Sequence, residues 1–271
     1  MIRDITIGQY YPADSPLHKL DPRVKLFATV IYVIALFCFK GIVGLALITG
    51  FLYAVIKISK VPFKFMTKGL KAIVVLVIIT SVFNLFATPG DIVFWKWGSL
   101  QITDTGIINA VLMTIRLVYL ILGTSLMTLT TTPNQLTNGL ETALAPLNKF
   151  NVPVHSIAMM MSIALRFIPI LIEETDKIMK AQMARGADFE NGNMIQKAKA
   201  MVPLLVPLFV SAFRRAEDLA MAMEARCYNG GEGRTKMKPL KYESRDHKAY
   251  AIVIGFLVLV IIAANVVPFP Q

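Results

Sequence analysis

Cysteine is almost absent from this chain: only Cys38 and Cys227 occur in 271 residues. Cys38 ends an apolar run and Cys227 lies in a basic, polar stretch. A disulfide between them is not expected, and no metal-ligand spacing exists. Histidine is as scarce. His18, His155 and His247 stand far apart, and a metal or catalytic site would need carboxylates that converge on a histidine. The acidic group Glu173, Glu174 and Asp176 is therefore expected on a solvated helix face, salt-linked to Lys177 or Lys180. No DDxxD motif supports a membrane prenyl transferase, and no Ser/His/Asp order is compelling. A GxxxxGK[ST] phosphate loop is also missing, so ATP hydrolysis is not expected of this chain. Acids are few overall, 17 against 28 lysines and arginines, which leaves a net charge of +11.

What remains is apolar. The chain is 55% hydrophobic with a mean hydropathy of +0.60, above the composition of ordinary soluble domains. An apolar, basic chain fits the cytoplasmic side of a bilayer, where lysine and arginine stay in place and anionic headgroups attract them. The charges sit in loops beside apolar segments, so membrane lipid, and not nucleic acid, is the expected partner. The first apolar segment starts near Val24 and lacks a small-x-small cleavage site, so no cleavable signal peptide is expected.

Residues 1–25 are polar and end in SPLHKLDPRVKL, whose prolines and aspartates disfavour a long helix. Leu26–Phe39 and Ile42–Ile56 are apolar runs broken at Lys40–Gly41. Each is shorter than the roughly 20 residues of a full span. They predict a helical hairpin whose arms are lengthened by snorkelling Lys25 and Lys57, or a tilted or re-entrant pair. KISKVPFKFMTKGLK (57–71) holds five lysines and no acid, a strong positive-inside signal. Ile73–Ala87 spans next. TPGDIVFWKWGSLQITDTG (88–106) reads as an outside loop with interfacial tryptophans. Ile107–Leu129 returns inward, and Ala251–Val267 leaves again after a basic approach through Lys236, Lys238, Lys241, Arg245 and Lys248.

This predicts an all-α membrane protein with about five transmembrane helices, N-terminus in and C-terminus out. Residues 1–130 would hold the N-terminal segment and four spans, 131–248 a cytoplasmic coupling region, and 249–271 the last span. The middle region carries 16 of the basic and 12 of the acidic residues. Its apolar runs, SIAMMMSIAL and LLVPLFVSAF, suit buried or interfacial helices better than spans. Arg116 lies within the fourth span, where an arginine must face protein or a polar cavity. It serves either a structural bond to neighbouring backbone carbonyls or a substrate path.

The middle region opens with TTPNQLTNGLE, in which Thr132 caps a helix begun by Pro133 and ended by Pro146. Two long helices follow, from about Val154 to Arg185 and from about Met194 to Arg226. Gly186 stands just beyond the first, and Asn229-Gly230-Gly231 ends the second. Their patterns align. Ala164, Ile168, Leu171, Thr175, Ile178, Gln182 and Arg185 repeat 41 residues later as Leu205, Phe209, Ala212, Ala216, Leu219, Met223 and Arg226. Such 4, 3, 4, 3 spacing keeps one helical face. Ala212, Ala216 and Ala220 form a small-xxx-small row that permits close packing.

A cation in the last turn is favoured by the helix dipole, by about 0.3–1 kcal/mol. That alone does not account for the flanks. Ala184 and Gly186 surround one arginine, Ala225 and Cys227 the other. Small neighbours let a partner approach, and the planar guanidinium can then bond carboxylates or carbonyls in pairs.

Taken with these motifs, the chain resembles the transmembrane T component of energy-coupling factor (ECF) transporters, the EcfT type. Ala184-Arg185-Gly186 and Ala225-Arg226-Cys227 carry the resemblance. SPLHKLDPRVKL, TTPNQLTNGLE and ALRFIPILIEE support it, over nearly the whole chain.

The resemblance implies crossed cytoplasmic coupling helices whose arginines dock into two ABC-type ATPase subunits of the EcfA and EcfA′ type. These would bind ATP and magnesium, so this chain needs no cofactor and is no enzyme. A separate S component would capture a vitamin or metal ion and reorient in a prokaryotic cell membrane. Nine of the fourteen methionines lie between Met159 and Met223. Such flexible side chains either fill gaps in a helical core or form a surface that accepts several S components. Met159, Met160, Met161, Ala212, Ala216 and Met223 are the candidate S-component contacts. The competing reading is a permease that itself binds a small substrate near Arg116.

Overall fold

The computed structural model describes residues 10–39, 41–89, 93–97, 100–187, 189, 193–230, 237 and 239–266. Lys40 of the expected hairpin tip, Gly231, Lys236, Lys238 and Val267 lie outside the described residues. Among the described residues the fold is all-α apart from one short hairpin. The helices are α1 (Pro22–Cys38), α2 (Gly41–Ser59), α3 (Phe63–Ala87), α4 (Asp104–Thr130), α5 (Pro133–Leu144), α6 (Val154–Ala184), α7 (Met194–Glu224) and α8 (Ser244–Val266). Strands β1 (Val93–Trp97) and β2 (Leu100–Thr103) pair antiparallel between α3 and α4, in the stretch expected to be a plain loop.

Four of the described helices are long and apolar enough to cross a bilayer: α2, α4, α6 and most of α8. A fifth span arises if α3, bent by 63° between Phe63–Lys71 and Ile73–Phe86, counts as one. Length and composition thus admit four or five spans, and their membership differs from the expected one. At 17 residues α1 is too short, whereas α6 qualifies because Arg166 is the one charge between Val154 and Ile172. The runs on either side of that arginine join into one apolar length.

The chain forms two compact units. One comprises Gly8–Gly139 with Leu240–Gln271, the other is built around Leu140–Pro239. In the first unit α1 packs on α8 and α4, α2 on α8 and α4, and α3 on α4. Leu36, Ile48 and Val260 are fully buried at its centre. The Phe51 and Phe256 rings stack there with centroids 4.0 Å apart. The Tyr32 ring packs on Gly123, where a Cβ would clash with it, and its hydroxyl donates to the Tyr119 carbonyl at 3.0 Å.

Every helix leaves unpaired carbonyls at its end, which need partners. The polar N-terminal stretch supplies them to α4. The Tyr11 N–H donates to the Leu129 carbonyl at 2.9 Å. The buried Lys25 ammonium donates to the Thr130 carbonyl at 2.8 Å and to the His18 carbonyl at 3.1 Å. His18 Nε2 donates to the Tyr11 carbonyl at 3.0 Å, which leaves Nδ1 to accept from the Ser15 hydroxyl at 2.7 Å. Lys25, expected to reach outward and lengthen an arm, instead points inward.

The starts of α1 and α8 share a carboxylate. Asp21 caps α1 by accepting from the Arg23 N–H at 2.9 Å, with Pro22 in the first helical position. Its own N–H donates to Asp246 at 2.9 Å, and the second Asp246 oxygen accepts from the Glu243 N–H at 2.8 Å. Asp246 is 1% exposed. The cap lets α8 begin at Ser244, seven residues before its expected start. Arg23 bonds both Asp21 oxygens and lies 3.8 Å over the Tyr242 ring. Burial pushes the Asp21 carboxyl up, but the Arg23 side-chain and backbone bonds outweigh it and hold the carboxyl below its ordinary value.

Asp246→Ala orphans two N–H donors and is expected to destabilise the protein by about 2–3 kcal/mol, measured as thermal unfolding in detergent. Because the folded-state value of Asp21 is lowered, its contribution is complete above the ordinary carboxylate pKa and fades as pH falls through the lowered one. The stability gap between wild type and Asp21→Asn is therefore expected to be constant near neutrality and to shrink below about pH 4.

Candidate docking site at two matching helix ends

Helix α5, which runs from the first unit into the second, starts with a reciprocal capping box. Thr132 Oγ1 accepts from the Gln135 N–H at 3.3 Å, and Gln135 Oε1 accepts from the Thr132 N–H at 3.1 Å. A 3-10 turn, Ala145–Phe150, begins where Pro146 was expected to stop the helix. The long helices α6 and α7 then pack on each other.

Their ends are built alike. After α6, the Ala187 N–H reaches back to the Gln182 carbonyl and the Gly186 N–H to the Met183 carbonyl, both at 3.0 Å. After α7, the Tyr228 N–H reaches the Met223 carbonyl at 3.0 Å and the Cys227 N–H the Glu224 carbonyl at 2.8 Å. These are the paired bonds of a Schellman end, which require a left-handed residue after the cap. Gly186 provides it with φ +90° and Cys227 with φ +54°. Every donor and acceptor in one end has its counterpart 41 positions later in the other.

Arg185 and Arg226 occupy the cap positions, and both are exposed. Ala184, Gly186, Ala225 and Cys227 are exposed beside them, and nothing lies within 4 Å of the position a Cβ on Gly186 would take. The small flanks leave each guanidinium with free approach from the side.

An ion pair joins the two helices. Arg215 Nη2 donates to Glu174 Oε2 at 2.9 Å, with both side chains partly buried. This corrects the expectation that Glu174 pairs with Lys177 or Lys180 on its own helix. The partners are separated by 41 residues, so they are the same position in the two aligned patterns. A contact between equivalent positions is what a local two-fold axis produces. Each tip arginine lies 11 residues beyond its member of the pair, about 16 Å along the helix at 1.5 Å per residue.

The other predicted residues lie farther from the tips. Met160 and Met161 are exposed and Met159 is half-buried near the start of α6. On α7, Ala216 is exposed while Ala212 and Met223 are half-buried. The surface of α7 is broadly apolar, with Val206, Phe209, Val210 and Phe213 all more than half exposed.

Arg116 makes no backbone-carbonyl bond among the described residues, contrary to expectation. Its guanidinium lies 4.8 Å from the Phe39 ring centroid and 5.9 Å from that of Phe37, with Nη1 3.7 Å from the Met113 sulfur. Aromatic faces accept a cation in a setting that offers little water.

Cobalt transport protein is the description of the CbiQ family model, which matches residues 13–237. The chain belongs to the CbiQ family. It is 58% identical over 247 residues to the energy-coupling factor transporter transmembrane protein EcfT of Clostridium kluyveri, covering 91% of this chain and 92% of that one. It is 53% identical to EcfT of Ruminiclostridium cellulolyticum over 262 residues, or 97% and 98% of the two chains. With EcfT of Bacillus subtilis it shares 47% over 259 residues, 96% and 97% respectively. The three stretches that supported the resemblance each have a structural task in this CbiQ-family chain. SPLHKLDPRVKL closes the end of α4 and caps α1, TTPNQLTNGLE holds the capping box, and ALRFIPILIEE supplies Glu174.

Cys227 holds a left-handed conformation without glycine's freedom, at a cost of about 1–2 kcal/mol. Cys227→Gly is expected to slow amide exchange in the last turn of α7, and Gly186→Val to speed it in α6. A double-mutant cycle on Glu174→Gln and Arg215→Gln is expected to give a coupling of about 1 kcal/mol.

Proposed function

We propose that this chain is the energy-coupling transmembrane subunit of an ECF-type importer, and that Arg185 and Arg226 dock onto two ABC-type ATPase subunits. One observation carries the reading. Two exposed arginines, on identical helix ends, stand at equal distances from an ion pair that joins equivalent positions. A partner pair with its own approximate two-fold symmetry would find two matching contacts on such a surface. Membership in a family of transporter subunits supports the same assignment.

In this reading the chain is not an enzyme. ATP and magnesium are held by the ATPases, and their closing motion reaches the membrane through α6 and α7. An S component binds the vitamin or other micronutrient. It packs on the exposed apolar surface to which Met159, Met160, Met161, Ala212, Ala216 and Met223 contribute. In this reading the tips face the cytoplasm, the side to which positive-inside charge assigns the lysine-rich segment 57–71, and α6, although long and apolar enough to cross, does not carry its end to the other side. The first unit agrees in its internal geometry: the start of α1, the end of α4 and the start of α8 meet at one end of the helices. A permease with its own substrate path near Arg116 draws less support, because that guanidinium is committed to two aromatic rings.

Arg185→Glu and Arg226→Glu are each expected to weaken ATPase association at least 30-fold, as loss of about 2 kcal/mol implies. Copurification and coupled uptake measure it, with circular dichroism confirming that the chain stays helical. Arg→Lys at either tip is expected to weaken association too, because lysine cannot make paired bonds from one plane. Undiminished assembly and uptake with both charges reversed would refute the docking role, and uptake by the chain alone would establish the permease.

A further inference from the structure

A groove of about 350 Å³ opens among α1, α2, α4 and α8, within the first unit. Its walls are hydrocarbon: Val24 and Ala28 from α1, Leu52 and Val55 from α2, Leu126 from α4 and Val253 from α8. The Tyr32 ring, seated on Gly123, forms part of the lining as well. The hydroxyls that reach the groove are already committed, since Thr29 donates to the Lys25 carbonyl and Thr130 to the Leu126 carbonyl. A polar solute would find almost nothing to bond inside.

The rim has the opposite character. Arg245 and Lys248 both line it, one helical turn apart on α8, and both are exposed. Lys25 adds a third cation, its ammonium held by two backbone carbonyls. No aspartate or glutamate lines the groove. The carboxylate nearest in function is Glu243, which pairs with Arg245 at 2.9 Å but is 60% exposed and outside the lining. Such a pair is screened by water and yields readily to a competing anion. Asp246 is buried and already accepts from two backbone N–H groups.

A hydrocarbon slot beneath two adjacent cations matches one common molecule of the bilayer. We infer that this groove binds a single anionic phospholipid, one acyl chain inside and the phosphate held by Arg245 and Lys248. The arginine contributes a planar fork for phosphate oxygens and the lysine a point charge beside it. The inference stands apart from the docking of the tip arginines and survives if that fails.

Native mass spectrometry of the full chain, offered equal amounts of phosphatidylglycerol and phosphatidylcholine with the same acyl chains, tests it. One phosphatidylglycerol per chain is expected to be retained, at least tenfold over phosphatidylcholine. Arg245→Gln with Lys248→Gln should abolish the preference, whereas Glu243→Gln frees Arg245 and should strengthen it. Ala28→Phe fills the slot and should end retention of either lipid. Ala249→Phe, from the α8 side of the lining, serves the same purpose if the first variant does not fold. Equal retention of the two lipids, a preference that survives loss of both cations, or retention by a folded, filled variant would each overturn the assignment.

Discussion

The ion pair between Glu174 and Arg215 fixes the geometry on which the candidate site depends. An isolated pair of this exposure contributes little stability by itself. Its importance is positional. It holds a position in α6 to its equivalent in α7, so everything measured outward from it is matched on the two helices. The Schellman ends, the small flanks and the arginines follow at the same distance on each. Slippage of one helix along the other by a turn would separate the pair and leave the arms unequal.

The first unit is governed by a different constraint. Helix ends near a bilayer expose carbonyl and amide groups that apolar neighbours cannot satisfy. Here a short polar segment, Tyr10 to Lys25, meets that demand for α4, while Asp246 meets it for the starts of both α1 and α8. The chain thus ties segments distant in sequence with side chains that need no water. The same economy of polar groups explains why Arg116 rests against rings and a thioether.

Much of this was legible in the sequence, because it rests on local rules. Proline and threonine at 132–133 announce a capped start, and the expected limits of α6 and α7 fall within two residues of those observed. The matched arginines emerged from the two Ala-Arg-small stretches and the 41-residue offset of the patterns that precede them. Extending the same offset to charged residues would have paired Glu174 with Arg215, but that pattern was confined to one face. The left-handed Cys227 was equally implicit in its alignment with Gly186. Other features depend on contacts far apart in the chain and leave no local trace. Nothing near Lys25 announces that its ammonium turns inward to a carbonyl 105 positions away, and nothing near residue 246 announces a bond to Asp21. The span count is matched only if the bent α3 is included, and the helices that pass by length and composition include α6, against which flanking charge argued.

Equal arms on a common pivot have a mechanical consequence. If the angle between α6 and α7 opens by 10°, each end swings through half of that, and their separation changes by about 3 Å for arms of about 16 Å. Neither end leads the other, and the pivot itself does not travel. A scissor of this kind reports only the spread between its handles, and is indifferent to any push that moves both handles the same way.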